Sequence, residues 1–474
     1  MRIIKNFLYN ASYQIFLLLV PLLTTPYLAR TLGPEGVGIN SYTNSIIQYF
    51  VLFGCVGTNL YANRKIAFVR DNKEKLSQTF WEILFLRLIM LIVSFGLFFI
   101  FLLNYADSDY YGYYLAQSVT IIATMLDVSW FFMGIEKFSV TVIRNFVVKI
   151  FTLVCIFIFV KSFSDLFLYI LIISLSILFG NLTMFSNLKQ YVKKPVWKKI
   201  NILKHFRPSI MLFVPEVATQ VYLVLNKTML GSVVSVQSSG FYDQSDKIVK
   251  IVLAIVTATG TVMLPHVANA FANGEEHKTR EYLYDSFAIV TAISMPMFMG
   301  IVAISSKLVP LFFSSKFGLV APLLSVESTV ILLIAWSNAI GTQYLLPTRQ
   351  ANQYTTSVVL GAVVNIMMNI PLIFWLGTIG AIIATVISEF AVTAYQLFAI
   401  RKQILMYKLF KDTYKYFVAG LIMFFVVFIL NGLLPFTWTA LIIEIFMGVD
   451  IYLLLIFIFK ANVFKVINKM RKEY

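Results

Sequence analysis

Apolar residues gather along this chain in runs long enough to cross a bilayer, divided by short polar stretches. The runs fall at residues 7–29, 38–60, 80–104, 111–133, 142–160, 165–188, 206–229, 242–270, 285–305, 320–345, 355–376, 379–400, 414–433 and 437–460. A single membrane-spanning helix takes about 20 apolar residues. The runs are rich in Leu, Ile and Phe and lack the strict alternation of barrel strands, so the pattern predicts helices. The expectation is an all-α polytopic membrane protein with 14 transmembrane helices.

The basic residues orient these helices. With the N-terminus placed in the cytoplasm, 29 of the 38 Lys and Arg residues fall on the cytoplasmic side. Arg30, Lys161, Lys247, Lys250, Lys307 and Lys316 fall outside, and Arg87, Lys149 and Lys227 lie within helices. This is the positive-inside asymmetry, and it predicts that both termini are cytoplasmic. The first run is too long for a signal peptide and is followed by no small-residue cleavage site, so it reads as an uncleaved helix. The longest connection, from about Lys189 to His205, carries Lys193, Lys194, Lys198, Lys199 and Lys204 and reads as a cytoplasmic linker between two helical bundles.

Composition narrows the class. Hydrophobic residues make up 59% of the 474 and charged residues 13%, against roughly 45–50% and 25% in soluble domains. Mean hydropathy is +0.83. The net charge of +16 is dispersed among apolar runs, which excludes a nucleic-acid face and suits anionic lipid headgroups. Cys55 and Cys155 have no metal or redox spacing and read as buried thiols. No outside loop is long enough to fold into a domain, which counts against a membrane polymerase or glycosyltransferase.

The chain also repeats a short pattern. Ile3-Ile4-Lys5-Asn6-Phe7 opens the first run, and Ile202-Leu203-Lys204-His205-Phe206 opens the seventh. Arg30-Thr31-Leu32-Gly33 with Gly38 matches Lys227-Thr228-Met229-Leu230-Gly231 with Gly240 at the same offset of about 200 residues. Six helices separate the copies, so they share one orientation, as parallel transporter repeats do. The expected organisation is an N-terminal six-helix lobe with its linker (1–204), a second six-helix lobe (205–405), and the last two helices with a cytoplasmic tail (406–474).

No Gly-Lys pair occurs, so there is no P-loop for ATP. His205, His266 and His277 lie at predicted cytoplasmic ends and make no metal motif, and no cofactor is implied. The remaining signal is ionisable and polar groups at membrane depth, each costly unless paired or wetted. Glu216, preceded by Pro215, lies about 15 Å into the seventh helix. Glu389 and Asp450 lie at similar depth. Arg87 and Asp127 lie on consecutive antiparallel helices, where they form either an interhelical salt bridge or part of a site. Lys247 and Lys250 open the eighth helix, as interface residues or as anion ligands. Asn338, Gln343, Asn365 and Asn369 suit sugar hydroxyls if they line a lumen, and interhelical hydrogen bonds otherwise.

Several stretches resemble one family. Asp127, Trp130-Phe131-Phe132-Met133-Gly134-Ile135-Glu136-Lys137-Phe138, Arg144-Asn145 and Lys149 are similar to the fourth and fifth helices of Wzx-type oligosaccharide flippases. Lys227-Thr228-Met229-Leu230-Gly231 with Gly240-Phe241-Tyr242 and Lys247, Val262-Met263-Leu264-Pro265, and Ser337 through Pro347 extend the resemblance. Gly361, Asn365, Asn369, Gly380-Ala381, Thr385 and Glu389 carry it to the twelfth helix. The chain departs from the family pattern at Asn226, where Asp is common, at Glu216, where Gln is common, and at His266, where Arg is common.

The resemblance implies a MATE-like fold of the multidrug/oligosaccharidyl-lipid/polysaccharide exporter superfamily, with two six-helix lobes plus two C-terminal helices. It also implies a flippase, not an enzyme, of the bacterial cytoplasmic membrane. The implied substrate is an undecaprenyl-pyrophosphate-linked oligosaccharide repeat unit for O-antigen or capsule, moved by alternating access. Membrane lipids, a coupling proton or sodium ion and a polysaccharide polymerase are the implied partners. An inside-negative potential favours outward movement of an anionic headgroup, by about 2.3 kcal/mol per charge per 100 mV. The alternatives are a MATE-like exporter of cationic drugs, which would use cavity carboxylates such as Glu216, and a lipid II flippase.

Overall fold

The computed structural model describes the backbone of residues 2–466 and 468, and the side chains from residue 20 onward except 199, 214–216, 218, 219, 221–223, 259, 261, 262, 467 and 469–474. Every regular element among the described residues is helical. The helices are α1 (Arg2–Cys55), α2 (Thr58–Val69), α3 (Lys73–Asn104), α4 (Tyr111–Met125), α5 (Ser129–Gly134), α6 (Phe138–Phe159), α7 (Leu166–Leu188), α8 (Phe206–Met229) and α9 (Val236–Ala272). They continue with α10 (Glu276–Phe312), α11 (Val320–Glu327), α12 (Thr329–Ser337), α13 (Ala351–Leu376), α14 (Thr378–Ile400), α15 (Met406–Leu409), α16 (Thr413–Leu433) and α17 (Trp438–Ile458). π-helical turns extend α8 over Leu230–Val234 and α12 over Asn338–Leu345.

Each apolar run coincides with helix, and local chemistry explains the breaks. α1 covers the first two runs and leaves helical geometry at Gly33 (φ 68°, ψ 179°), just before Pro34. A side chain there would be strained, so glycine permits the turn. Gly57 (φ 68°) divides α1 from α2 in the same way. Asn72 caps α3 by accepting from the Glu74 and Lys75 amides at 3.1 and 3.0 Å. Eleven helices among the described residues are long and apolar enough to cross a membrane, or twelve when Val236–Ala258 and Met263–Ala272 are taken as one bent span. The sequence pattern predicts 14. The difference arises because α1 and α2 qualify as a single stretch, Val20–Val69, and because α8 contains residues outside those described, to which the count of spans is confined.

The chain divides into two compact units, Met1–Gly240 and Phe241–Tyr474. In the first, Phe80, Trp130, Phe131 and Phe132 form one buried cluster, with Phe80 stacked on Trp130 at 5.5 Å. Ile47, Leu91, Phe98, Tyr114 and Ile121 form another. α8 belongs to this unit, where the Ser209 hydroxyl donates to the Val56 carbonyl at 2.6 Å. In the second unit, Met295 and Met299 of α10 pack with Tyr416 and Met423 of α16 and Tyr452 of α17. The Tyr452 hydroxyl donates to the Ala292 carbonyl at 2.9 Å.

Candidate functional site

Arg87 organises the polar interior of the first unit. It sits 14 residues into α3 and is 1% exposed. Its Nε donates to the Thr124 carbonyl at 3.1 Å, and one terminal nitrogen donates to Thr58 Oγ1 at 3.4 Å and to the Asn59 side chain. The other lies 3.5 Å from Asp127 Oδ2. Asp127 is fixed at the break between α4 and α5, where it accepts from the Ser129 amide at 2.9 Å and lies 4.0 Å from Arg144. A guanidinium offers five donors in a planar fork, and three elements converge to meet it. The interhelical pairing of Arg87 with Asp127 is therefore present.

Asn59 couples this centre to open space. With Gln48 and Tyr49 of α1 and Gln220 of α8, it lines a polar cavity of about 170 Å³. Amide and phenol groups of this kind both donate and accept hydrogen bonds, which suits hydroxyl-rich ligands. Arg87 stands directly behind Asn59. It orients that amide and places positive charge near the cavity without lining it.

A second cluster joins the linker to the same unit. Glu82, fully buried on α3, accepts from Lys204 Nζ at 2.7 Å and from the Asn201 amide at 2.9 Å. His205 Nε2 lies 2.9 Å from Glu82 Oε2, and His205 Nδ1 lies 2.7 Å from the Tyr61 hydroxyl. One neutral tautomer satisfies both contacts, with Nε2–H donating to the carboxylate and Nδ1 accepting from the phenol. Burial pushes the His205 pKa below its ordinary value, and the Glu82 carboxylate opposes that only in part.

The second unit holds the remaining candidates in separate places. Gln343 is buried, accepts from the Ser286 hydroxyl and donates to Asn338 Oδ1 at 2.9 Å. Asn369 donates to Asn365 Oδ1 at 2.7 Å, one turn away on α13, and both are fully buried. These four amides take part in hydrogen bonds within and between helices. Glu389 is buried on α14. Lys247 and Lys250 are each paired with a carboxylate one turn earlier on α9, Asp243 at 2.6 Å and Asp246 at 2.7 Å. Asp450 is exposed on α17. The side chain of Glu216 lies outside the described residues.

Two ion pairs escape the sequence reading. Glu82 sits at the start of a run and meets partners about 120 positions away, so no local spacing reveals it. Lys307, read as an outside residue, is buried against Glu444 of α17, and Glu444 also accepts from Asn431 at 2.8 Å. Among the described residues, no group of three or more His, Cys, Asp or Glu side chains is arranged to hold a metal ion.

Comparison with known proteins agrees with this architecture. The chain resembles a protein of Escherichia coli (strain K12) named "Putative O-antigen transporter", with 22% identity over 403 residues, 84% of this chain and 96% of that protein. A protein of Haloferax volcanii named "Probable low-salt glycan biosynthesis flippase Agl15" is 21% identical over 209 residues, 43% of this chain and 42% of its own length. Among solved structures, the lipid II flippase MurJ in its inward closed conformation matches with a TM-score of 0.81 at 16% identity, covering 97% of this chain and 100% of that one. An inward-facing multidrug resistance MATE family transporter matches with a TM-score of 0.62 at 14% identity, over 82% of this chain and 94% of that one. The MATE-like fold expected from the resemblance is thus the fold observed. The family model described as "Polysaccharide biosynthesis protein" matches residues 3–271, more than half of the 474 residues, and the chain belongs to that family.

Proposed function

We propose that this protein is a flippase that moves lipid-linked oligosaccharide units across the membrane for surface polysaccharide assembly. The observation that carries the reading is the match to the Escherichia coli protein named "Putative O-antigen transporter" over 96% of that protein's length, on a helical membrane chain whose sequence has no P-loop motif. The polar cavity at Gln48, Tyr49, Asn59 and Gln220 supports it. A sugar headgroup leaving water needs replacement hydrogen bonds along its route, because unpaired polar groups cost several kcal/mol each in hydrocarbon, roughly 2–7. Asn59 supplies such bonds, and Arg87, which holds it from behind, supplies a nearby positive charge suited to a pyrophosphate.

In finer detail, the substrate is an undecaprenyl-pyrophosphate-linked O-antigen or capsule repeat unit. The membrane is the bacterial cytoplasmic membrane, with both termini in the cytoplasm. The membrane potential, or antiport of protons or sodium ions, drives alternating access, and a polysaccharide polymerase consumes the product. Arg87 and Asp127 act on the headgroup through Asn59. Glu216, Glu389, Lys247, Lys250, Asn338, Gln343, Asn365 and Asn369 are the further candidates for contact along the route.

The test is deletion of the gene followed by extraction of lipid-linked intermediates and staining of surface glycan. Accumulation of one polyprenyl-linked oligosaccharide on the inner leaflet, with loss of surface polysaccharide, supports the reading and identifies the sugar. Normal surface glycan with new sensitivity to cationic drugs would replace it with drug export. Accumulation of lipid II would replace it with peptidoglycan precursor flipping.

A further inference from the structure

A groove of about 560 Å³ runs between α6 and α7 within the first unit. Gly180 forms part of its wall. A methyl group there would lie 2.5 Å from Val148 Cγ2 and 3.3 Å from Arg144 Cδ, so only glycine lets α6 approach α7 this closely. α6 is also the least covered span: 6% of its most apolar stretch is buried, the lowest share of the eleven.

The groove is lined mainly by polar residues at one end and mainly by apolar ones, with Ser176 among them, at the other. Ser139 at the start of α6 and Ser186 and Asn187 at the end of α7 line the first end. Exposed Lys137 and Lys189 flank it, next to the lysine-rich connection. Val147, Phe151 and Phe179 line the other end. Arg144 lies between them, about 7.5 Å along α6 from Ser139 at 1.5 Å per residue. Of the neighbouring acids, Glu136 pairs with Arg70 at 2.6 Å, and Asp127 lies 4.0 Å from Arg144 but is shared with Arg87 at 3.5 Å, one carboxylate for two guanidiniums. The mouth therefore keeps a positive balance. A cationic, hydroxyl-bearing mouth that leads to an aromatic and aliphatic slot matches a phosphate headgroup followed by acyl chains. Basic pockets between transmembrane helices bind anionic lipid headgroups on the same electrostatic grounds.

We infer that this groove holds one anionic phospholipid of the surrounding bilayer, with its phosphate at the Arg144 end and an acyl chain along Val147 and Phe151. Two adjacent helices of one unit wall the groove, so a lipid settles there sideways and its headgroup does not pass through the protein. The assignment concerns a resident lipid and holds whatever the protein transports.

The test is thermal unfolding of the purified full-length protein in neutral detergent with three added probes: dioleoylphosphatidylglycerol, dioleoylphosphatidylcholine and undecaprenyl phosphate. Phosphatidylglycerol is expected to raise the midpoint, as a ligand that binds only the folded state does, and phosphatidylcholine with the same chains to leave it unchanged. Arg144→Gln is expected to abolish the shift. Val147→Trp fills the groove from an exposed position, keeps the lipid-free midpoint and also abolishes the shift. Equal shifts with both phospholipids, no shift with either, or a phosphatidylglycerol shift that survives Val147→Trp would overturn the inference. An Arg144-dependent shift with undecaprenyl phosphate alone would overturn it too, by giving the groove to the transported lipid. None of these outcomes depends on transport, so they are separable from the gene-deletion result.

Discussion

His205 Nε2 lies 2.9 Å from Glu82 Oε2, and neither side chain is more than 1% exposed. The carboxylate thereby joins the end of the long connection and the start of α8 to α3. Removing the carboxylate leaves the buried Nε2–H of His205 and the Asn201 amide without their acceptor, which costs about 1–3 kcal/mol per group. Glu82→Ala is expected to destabilise the protein by that order. Glu82→Gln, which keeps an acceptor for His205, is expected to cost less. Thermal unfolding in detergent measures both, and equal midpoints for wild type and Glu82→Ala would refute the role.

The same pair sets a pH dependence. Burial lowers the folded-state pKa of His205 below its ordinary value near 6.5, and Lys204 and Lys65 add to the lowering, while Glu82 acts against it. The unfolded chain then takes up the proton at a higher pH than the folded one. The stabilising effect of neutral His205 is complete above about pH 6.5 and is lost as pH falls toward the folded-state pKa. His205→Gln, which can donate to Glu82 and accept from Tyr61, is expected to flatten the midpoint curve in that acid range. An identical acid slope in the variant would show that other groups control it.

Much of this organisation is visible in the chain itself, because membrane helices are recorded locally as runs of apolar residues. Each predicted run from 7–29 to 437–460 meets a helix, and Gly33 marks the first break. The Arg87–Asp127 pair is also legible, since both lie at one depth on consecutive helices. Glu82 with His205 and Lys307 with Glu444 are not. Each joins residues more than 120 positions apart, and run length and charge sign carry no information about which helix faces which. Lys247 illustrates a different limit. It reads as an interface residue or an anion ligand, yet Asp243 stands one turn away on the same helix at 2.6 Å, a spacing present in the sequence and overlooked there.

Arg87 and Asp127 separate stability from transport. Arg87→Met removes the donors that hold Asn59 and leaves Asp127 with Arg144 alone, at 4.0 Å. The single variant is expected to lose about 3 kcal/mol or more of stability. Adding Asp127→Asn is expected to recover only part of the midpoint, because the carboxylate it removes still has Arg144 at 4.0 Å and the Ser129 amide at 2.9 Å. Surface-glycan complementation is expected to stay defective in both, since Asn59 remains unheld. Full complementation by the double variant would reduce Arg87 to a purely structural residue.

Lys307 and Glu444 offer the same logic away from the cavity. Both are buried within the packing of α10, α16 and α17. Lys307→Met or Glu444→Leu alone is expected to destabilise by about 3–5 kcal/mol, whereas the pair replaced together is expected to be near neutral, as with other buried ion pairs exchanged for apolar side chains. Unlike the Arg87 variants, the double replacement is expected to support normal surface glycan. A double variant as unstable as either single one would mean that Asn431, which donates to Glu444 at 2.8 Å, is the group left unsatisfied.

Gly380 tests how tightly the hairpin of α13 and α14 must close. The chain turns at Gly377 (φ 59°), and a methyl group built on Gly380 would lie 1.9 Å from the Leu372 carbonyl oxygen, which is backbone and cannot rotate away. Gly380→Ala is expected to push the two helices apart. That displacement costs about 1–3 kcal/mol in well-packed sites and more where the backbone must move. Gly96→Ala, inside the last third of α3 with no atom beyond the helix's own adjacent backbone within 4 Å of the added methyl, is the matched control. It is expected to raise the midpoint slightly, because alanine favours helix over glycine by about 1 kcal/mol. Opposite signs for two identical substitutions would locate the cost in the close approach at Gly380, and a loss of equal size at Gly96 would assign it to glycine flexibility instead.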